Sequence, residues 1–271
     1  MKALLQDRLD NFQLSATHLS DFVDFVHCGP RSFFLLRILR FPQAPRTELQ
    51  YGHAIHETLE WIHHATKQTG KLPGATAAHK TFAARLEAKR MSEHDHSLFL
   101  ERGKETLNTY LQQRGQTVSP DNVVEYNFRN EGVFAGKAHL GGKIDKLIIN
   151  KETKEIVIVD YKTGRSHTKW TREMNLHKNR QQLYFYKMLV EGSHTFAGYK
   201  VVGAYLEFVE PDENGRIQEL HLTYDEAEYR KLKQLAEAVW RHITALSLPE
   251  TSQYTPDLSG VETFETDLLN E

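Results

Sequence analysis

One cysteine, Cys28, is all the thiol chemistry this chain has. It excludes an internal disulfide and any zinc or iron–sulfur site built wholly from cysteines of one chain. Long apolar runs are missing too. Nothing approaches the length of a membrane span, and the amino terminus lacks the basic-then-apolar pattern of a secretory signal, so a cytoplasmic location is expected. There is no GxxxxGK[ST] loop, and therefore no nucleotide-driven motor in the chain itself. Internal repeats and low-complexity segments are absent. The formal net charge of −2 gives no global basic excess of the kind that marks many nucleic-acid binders.

What is present is an ordinary globular composition, with 39% hydrophobic and 26% charged residues, over 271 residues. That length suits one large domain or a core with a helical insertion. The charge is unevenly placed. Between Lys162 and Lys187 lie seven Lys or Arg and one acid, Glu173, whereas Glu250 to Glu271 holds six acids and no Lys or Arg. The basic segment is either a solvated face or the footprint of phosphate-backbone contact.

Periodicity divides the chain in two. Residues 1–14 are expected to be a loose lead-in. Ser15 or Thr17 caps a helix to about Cys28, with Leu19, Phe22, Val23 and Val26 on one stripe. Helices are expected at 53–67, 76–91 and 97–113, the last after a turn at His94-Asp95-His96, and His63 and His64 read as a solvated helix end. Residues 15–118 form this helical subdomain. From Ser119-Pro120 the pattern becomes strands at 123–129, 133–140, 143–149 and 155–161, with Asn130-Glu131-Gly132 as a hairpin turn. A helix near 179–191, strands at 199–209 and 216–222, and a helix ending near Leu246 complete a core over 119–246. Thr223 and Glu226 are expected to form a capping box for that last helix. An acidic tail, 247–271, follows. The fold class is α/β with an amino-terminal helical subdomain.

The chemistry concentrates on two acids. Asp145 ends Gly141-Gly142-Lys143-Ile144-Asp145, and Asp160 follows the β-branched run Ile156-Val157-Ile158-Val159. A hairpin turning at Asn150-Lys151-Glu152-Thr153 brings both carboxylates to one end of a sheet, with Lys162 on the strand face of Asp160. Burying an acid after such a run is unfavourable unless it is paired or binds a cation. Two carboxylates suit Mg²⁺, and a lysine beside them can orient a water or offset charge on a phosphorane-like transition state. Acids and lysines at strand ends are also common without any such role.

Four motifs in order give the chain a resemblance to the PD-(D/E)xK nuclease superfamily, in its RecB-type branch. Tyr51-Gly52-His53-Ala54-Ile55-His56 resembles a helical GxxxH motif, Gly142-Lys143-Ile144-Asp145 a G-(K/R)-I-D motif, and Asp160-Tyr161-Lys162-Thr163-Gly164 a D-(Y/F)-K-T-G motif. Gln182-Leu183-Tyr184-Phe185-Tyr186 resembles the QxxxY motif that follows on a helix. The resemblance covers roughly residues 15–210, and its order and spacing are more specific than any one piece. It implies a restriction-endonuclease-like core, a mixed central sheet flanked by helices. It also implies Mg²⁺ or Mn²⁺ held by His56, Asp145, Asp160 and the Tyr161 carbonyl, with Glu125 of second rank. Lys162 is then the catalytic lysine, with Gln182 and Tyr186 at the site or the DNA. An imidazole ligand tilts preference toward Mn²⁺. Relatives that carry an iron–sulfur cluster begin it with a cysteine near Cys28. The three later cysteines are missing here, so no cluster is expected and Cys28 reads as a small hydrophobe.

The resemblance extends to the carboxy-terminal nuclease domain of UvrD/Rep-type superfamily 1 helicases. It implies a DNA exonuclease that prefers single strands or ends and works in repair or recombination, with a helicase partner in cis or trans. Lys169, Trp170, Arg172, Lys178 and Arg180 are expected to line the DNA path, where Trp170 serves either to stack on a base or as a hinge anchor. The alternative is a non-catalytic DNA-binding nuclease-fold module of a helicase. Intact His56, Asp145, Asp160, Lys162 and Gln182 weigh against it. A zinc hydrolase is disfavoured because His56-Glu57-Thr58-Leu59-Glu60 is not HExxH.

Overall fold

A computed structural model of the chain describes residues 2–44 and 46–271. The elements run α1 (Lys2–Asp10), α2 (Ala16–Val23), a short α3 (Gly29–Phe33), a π-helical turn (Phe34–Ile38), α4 (Thr47–Thr69), α5 (Ala75–Glu87) and α6 (Glu93–Arg114). Then come β1 (Val123–Asn127), β2 (Val133–Ala135), β3 (Ala138–Leu140), β4 (Lys143–Asn150), β5 (Glu155–Lys162), α7 (Met174–Gly192), β6 (Lys200–Phe208), β7 (Gln218–Leu222), α8 (Glu226–Ala245) and α9 (Leu258–Asn270). None of the described helices is long and apolar enough to cross a membrane.

Five strands form one mixed sheet in the order β1-β4-β5-β6-β7. All neighbours are antiparallel except β5 and β6, which are parallel and joined by the crossover helix α7. The unbroken apolar run in β5 is required because both its faces are covered. Ile156 and Ile158 enter one core with α1–α3 and α7–α9, while Val157, Val159 and Tyr161 face the core formed by α4–α6. β4 and β5 pair with Lys146 opposite Val159, so one step further along the hairpin Asp145 meets Asp160. The restriction-endonuclease-like α/β architecture expected from the sequence is the one observed.

Several local expectations are corrected. The lead-in is helical over Lys2–Asp10: α1 buries Leu5 and Leu9 in the α7–α9 core, and beyond it Leu14 bridges to Leu140. Met1 lies outside the described residues. α2 stops at Val23, where the buried Asp24 turns the chain; Ser15 and His18 cap its start reciprocally. The carboxyl-terminal segment is ordered, with Phe264 and Leu268 of α9 fully buried, each worth roughly 1.5–3 kcal/mol. His94-Asp95-His96 is the first turn of α6, capped by Ser92, rather than a loop. Residues 133–140 are a small separate hairpin that bends at Gly136 (φ +57°), and β1 pairs with β4 instead of turning at Asn130. α8 is capped by Asp225, which accepts from the amides of Ala227 and Glu228, and not by Thr223. The helical subdomain also divides. α4–α6 cover one face of the sheet, whereas α2 and α3 belong to the other core because their apolar stripes meet α7 and α8. Cys28 is half-buried, and desolvation pushes its thiol up to about 11.

Candidate metal and active site

The end of the sheet where β4 begins and β5 ends collects side chains from both layers. α4 delivers His56, whose Nδ1 lies 3.4 Å from Asp145 Oδ1. The helix can come this close because residue 52 is glycine: a Cβ there would sit 3.1 Å from Thr163 Oγ1. The other oxygen of Asp145 accepts the Tyr161 amide at 2.8 Å, fixing β4 against β5 where regular pairing ends. Tyr161 then backs His56 with its ring, edge to face at 5.9 Å between centroids.

From the other layer, α7 supplies Gln182 and Tyr186. Lys162 Nζ lies 2.7 Å from Asp160 Oδ2 and donates to Gln182 Oε1 at 2.8 Å, and Gln182 Nε2 donates to the Tyr186 hydroxyl at 2.6 Å. These bonds leave Lys162 little freedom. Asp160 Oδ2 is buried and makes no well-angled hydrogen bond despite the nearby ammonium.

Glu125 completes the cluster. Ligand atoms of His56, Glu125 and Asp145 lie within 4.8 Å of one another. Glu125 sits between the β1–β4 pairs Val124–Lys146 and Tyr126–Ile144, with φ +51°, a left-handed conformation that is strained for a side-chain-bearing residue. That twist is how an edge-strand residue reaches Asp145, and Lys143 pairs with its carboxylate. No sequence signal announces a positive φ at a glutamate.

The electrostatics follow from three acids sharing little solvent. Burial works against the charge of Asp145, but His56, the Tyr161 amide and Lys162 hold its carboxyl below the usual range. Burial pushes Asp160 up, and the Asp145 charge adds to this against the pull of Lys162. Burial also raises Glu125, opposed by Lys143. His56 would be depressed by burial, yet the facing Asp145 carboxylate keeps its imidazolium favoured above the ordinary histidine range. Three carboxylates thus share one sheet end with Lys143, Lys162 and His56, and the mutual repulsion among the acids is what a bound cation would relieve.

Residues 13–254 match the family model described as the PD-(D/E)XK nuclease superfamily. The chain belongs to that superfamily. Among solved structures, a candidate exonuclease from Eubacterium rectale shares the fold at a TM-score of 0.55 and 12% sequence identity, covering 96% of this chain and 82% of that one. No curated protein matches the chain.

The remaining expected residues of this superfamily member lie further out. Lys178 donates to the buried Asp24 at 2.6 Å, and Arg172 pairs with Glu262 at 2.6 Å, so both cations are already engaged within the protein. Trp170 packs partly against the core and donates its indole N–H to the His221 carbonyl at 2.7 Å, an anchoring arrangement. Lys169 and Arg180 are exposed. His63, expected in solvent, is buried against the sheet with Nε2 3.2 Å from the Tyr161 hydroxyl. A histidine on the Leu59–Ile62 face of α4 reads as polar from sequence; only the tyrosine brought beneath it explains its burial.

Proposed function

We propose that the chain is a metal-dependent nuclease that hydrolyses phosphodiester bonds of DNA. The observation that carries this reading is the convergence of His56, Glu125 and Asp145 within 4.8 Å at the sheet end where Lys162 stands 2.7 Å from Asp160. The donor set fits a divalent cation. It is carboxylate-rich with one imidazole, and a buried carboxylate oxygen of Asp160 lacks a hydrogen-bond donor of good geometry. His56, Asp145 and Asp160, with the Tyr161 carbonyl and Glu125, would hold Mg²⁺ or Mn²⁺. Such an ion, when bound, lowers the pKa of a coordinated water and offsets charge on the phosphate.

The protein's own part is positioning. Gln182, itself held by Tyr186, fixes Lys162 so that its ammonium aligns the attacking water and meets developing negative charge without reorganising. Asp145, bonded to the Tyr161 amide, keeps β4 and β5 in register so that the acids stay together. We assign the catalytic core to residues 119–246 with α4 as the carrier of His56. We take the activity to be exonucleolytic on single-stranded DNA or its ends, in repair or recombination and alongside a superfamily 1 helicase, in keeping with the resemblance to RecB-type domains.

The test is cleavage of end-labelled linear and closed circular single-stranded DNA with Mg²⁺, Mn²⁺ or EDTA. Lys162→Ala should lose about 10²–10³-fold in rate with its circular dichroism unchanged. Metal-dependent loss of the linear strand only makes the enzyme an exonuclease, and cutting of the circle makes it an endonuclease. Undiminished cleavage by Lys162→Ala would remove the lysine from the mechanism. No cleavage despite metal binding would favour the non-catalytic, helicase-borne module.

A further inference from the structure

The basic stretch 162–187 supplies fewer free cations than its composition suggests, since Lys178 and Arg172 are spent on Asp24 and Glu262. A different surface offers more. A cleft of about 690 Å³ opens between α1, the π-helical turn and the end of β1, with Arg8, Arg37, Arg40 and Arg129 in its lining against a single acid, Asp7. Two of these arginines are built into the fold: Arg8 donates to the Ile38 carbonyl at 2.8 Å, and Arg37 is clamped by Asp21 at 2.6 Å. Arg40 and Arg129 are exposed and make no ion pair among the described residues. Arg40 stands at φ +61°, where the chain turns out of the π-helical segment. In a chain of net charge −2, these two unpaired guanidinium groups beside two more built into the wall give this open cleft a local positive excess.

The cleft is also tied to the site. Gln13, in its lining, donates to the Arg129 carbonyl at 2.7 Å, and the neighbouring Phe128 amide donates to the Gly142 carbonyl at 2.8 Å. Gly142 directly precedes β4, and Asp145 is three residues on, about 10 Å along a strand. Arg129 itself lies four residues past Glu125, at the same end of the sheet. Guanidinium groups match phosphate oxygens in a bidentate fork and are the preferred side chains for that contact.

We propose that this arginine cleft binds phosphates of the nucleic-acid strand beyond the scissile bond, holding it to the sheet end that carries the acids. The proposal rests on the nuclease reading for the identity of the strand, but its test does not depend on turnover. The variant is Arg40→Gln/Arg129→Gln, two exposed positions outside the catalytic cluster. Binding of a labelled long oligothymidine and of a trinucleotide would be followed by fluorescence anisotropy in EDTA across a salt series.

The expected result is about tenfold weaker binding of the long strand, and a salt slope reduced by about 0.7 for each cation removed, so about 1.4 for both. Trinucleotide binding and hydrolysis of bis(p-nitrophenyl) phosphate should stay at wild-type levels. Unchanged affinity and slope for the long strand would overturn the proposal. So would an equal loss on the trinucleotide, which would put the arginines at the scissile bond. Inorganic phosphate that stabilises the wild type but not the variant, with long-strand binding intact, would make the cleft a small-anion site instead. Failure of the nuclease reading shows separately, as no metal-dependent cleavage by the wild type while the anisotropy difference persists.

Discussion

Beneath α4–α6 the sheet buries a charged pair. Lys146 (0% exposed) lies 2.8 Å from Glu207 (1% exposed), with the lysine ammonium 4.9 Å from the centre of the Tyr161 ring. The Tyr161 hydroxyl in turn meets His63 at 3.2 Å and accepts from Tyr110 at 3.4 Å. On the opposite face the same strands present Leu147, Ile156, Ile158, Leu206 and Phe208 to α7 and its neighbours, and the buried polar group of that face on β5 is Asp160, at the end. Each layer contributes half of the site, His56 from one and Gln182 with Tyr186 from the other. The α4–α6 layer meets the sheet through this buried charged and phenolic network, whereas the α7 layer meets β5 in polar contact at the site itself, through Lys162, Gln182 and Tyr186. A buried pair is poor evidence for extra stability, but it penalises any sliding of strands that would separate the charges. Tyr161 connects that register to the site through its amide on Asp145 and its ring against His56.

The sharpest way to break the contrast is Glu207→Gln. It leaves the Lys146 ammonium buried without its counter-charge and should cost about 3–5 kcal/mol by denaturant unfolding. Lys146→Met with Glu207→Leu should recover most of that loss; a double variant as unstable as the single would mean the damage is steric.

An effect of similar size, but spread over a pH window, comes from His63, which desolvation, helped by the Lys146 charge, depresses to about 3. The unfolded chain takes up this proton near pH 6.5 and the folded chain only near 3. The associated stability is therefore complete above pH 6.5 and drains away as pH falls toward 3, by up to several kcal/mol at about 1.4 per pH unit. His63→Gln should flatten the melting temperature over that window. An unchanged acid slope would show that other groups govern it.

Smallest is Tyr161→Phe, which removes the hydroxyl but keeps the ring and amide. About 1 kcal/mol of stability should go, with metal affinity by calorimetry unchanged. A large drop in metal affinity would tie the polar network directly to the site.

The parts legible in sequence are those set by local pattern. The period of β5 and the turn between Asn150 and Thr153 together decide that Asp145 and Asp160 share a sheet end, because a hairpin register leaves few alternatives. The helix spacing from Gly52 to His56 similarly puts the small residue and the imidazole on neighbouring faces of α4. Glu125 was within reach only as a second-rank residue, since its part in the cluster depends on a backbone conformation that neighbouring strands impose. α7 begins five residues before the expected Asn179 because the polar stretch from Met174 is helical against α9, where His177 meets the buried Glu265 at 2.9 Å. Lys178 looked like a free cation until α2 placed Asp24 beside it.

By itself the sequence determined that β4 and β5 pair as a hairpin, which acids stand at its open end and which helices carry the histidine and the glutamine. Those follow from periods of two and about four residues, which are local properties of the chain. Only the tertiary structure decided which charges remain free. A lysine, an arginine or a histidine is solvated or spent according to the acid or the tyrosine that a distant element brings within hydrogen-bond reach, and no local pattern carries that distance.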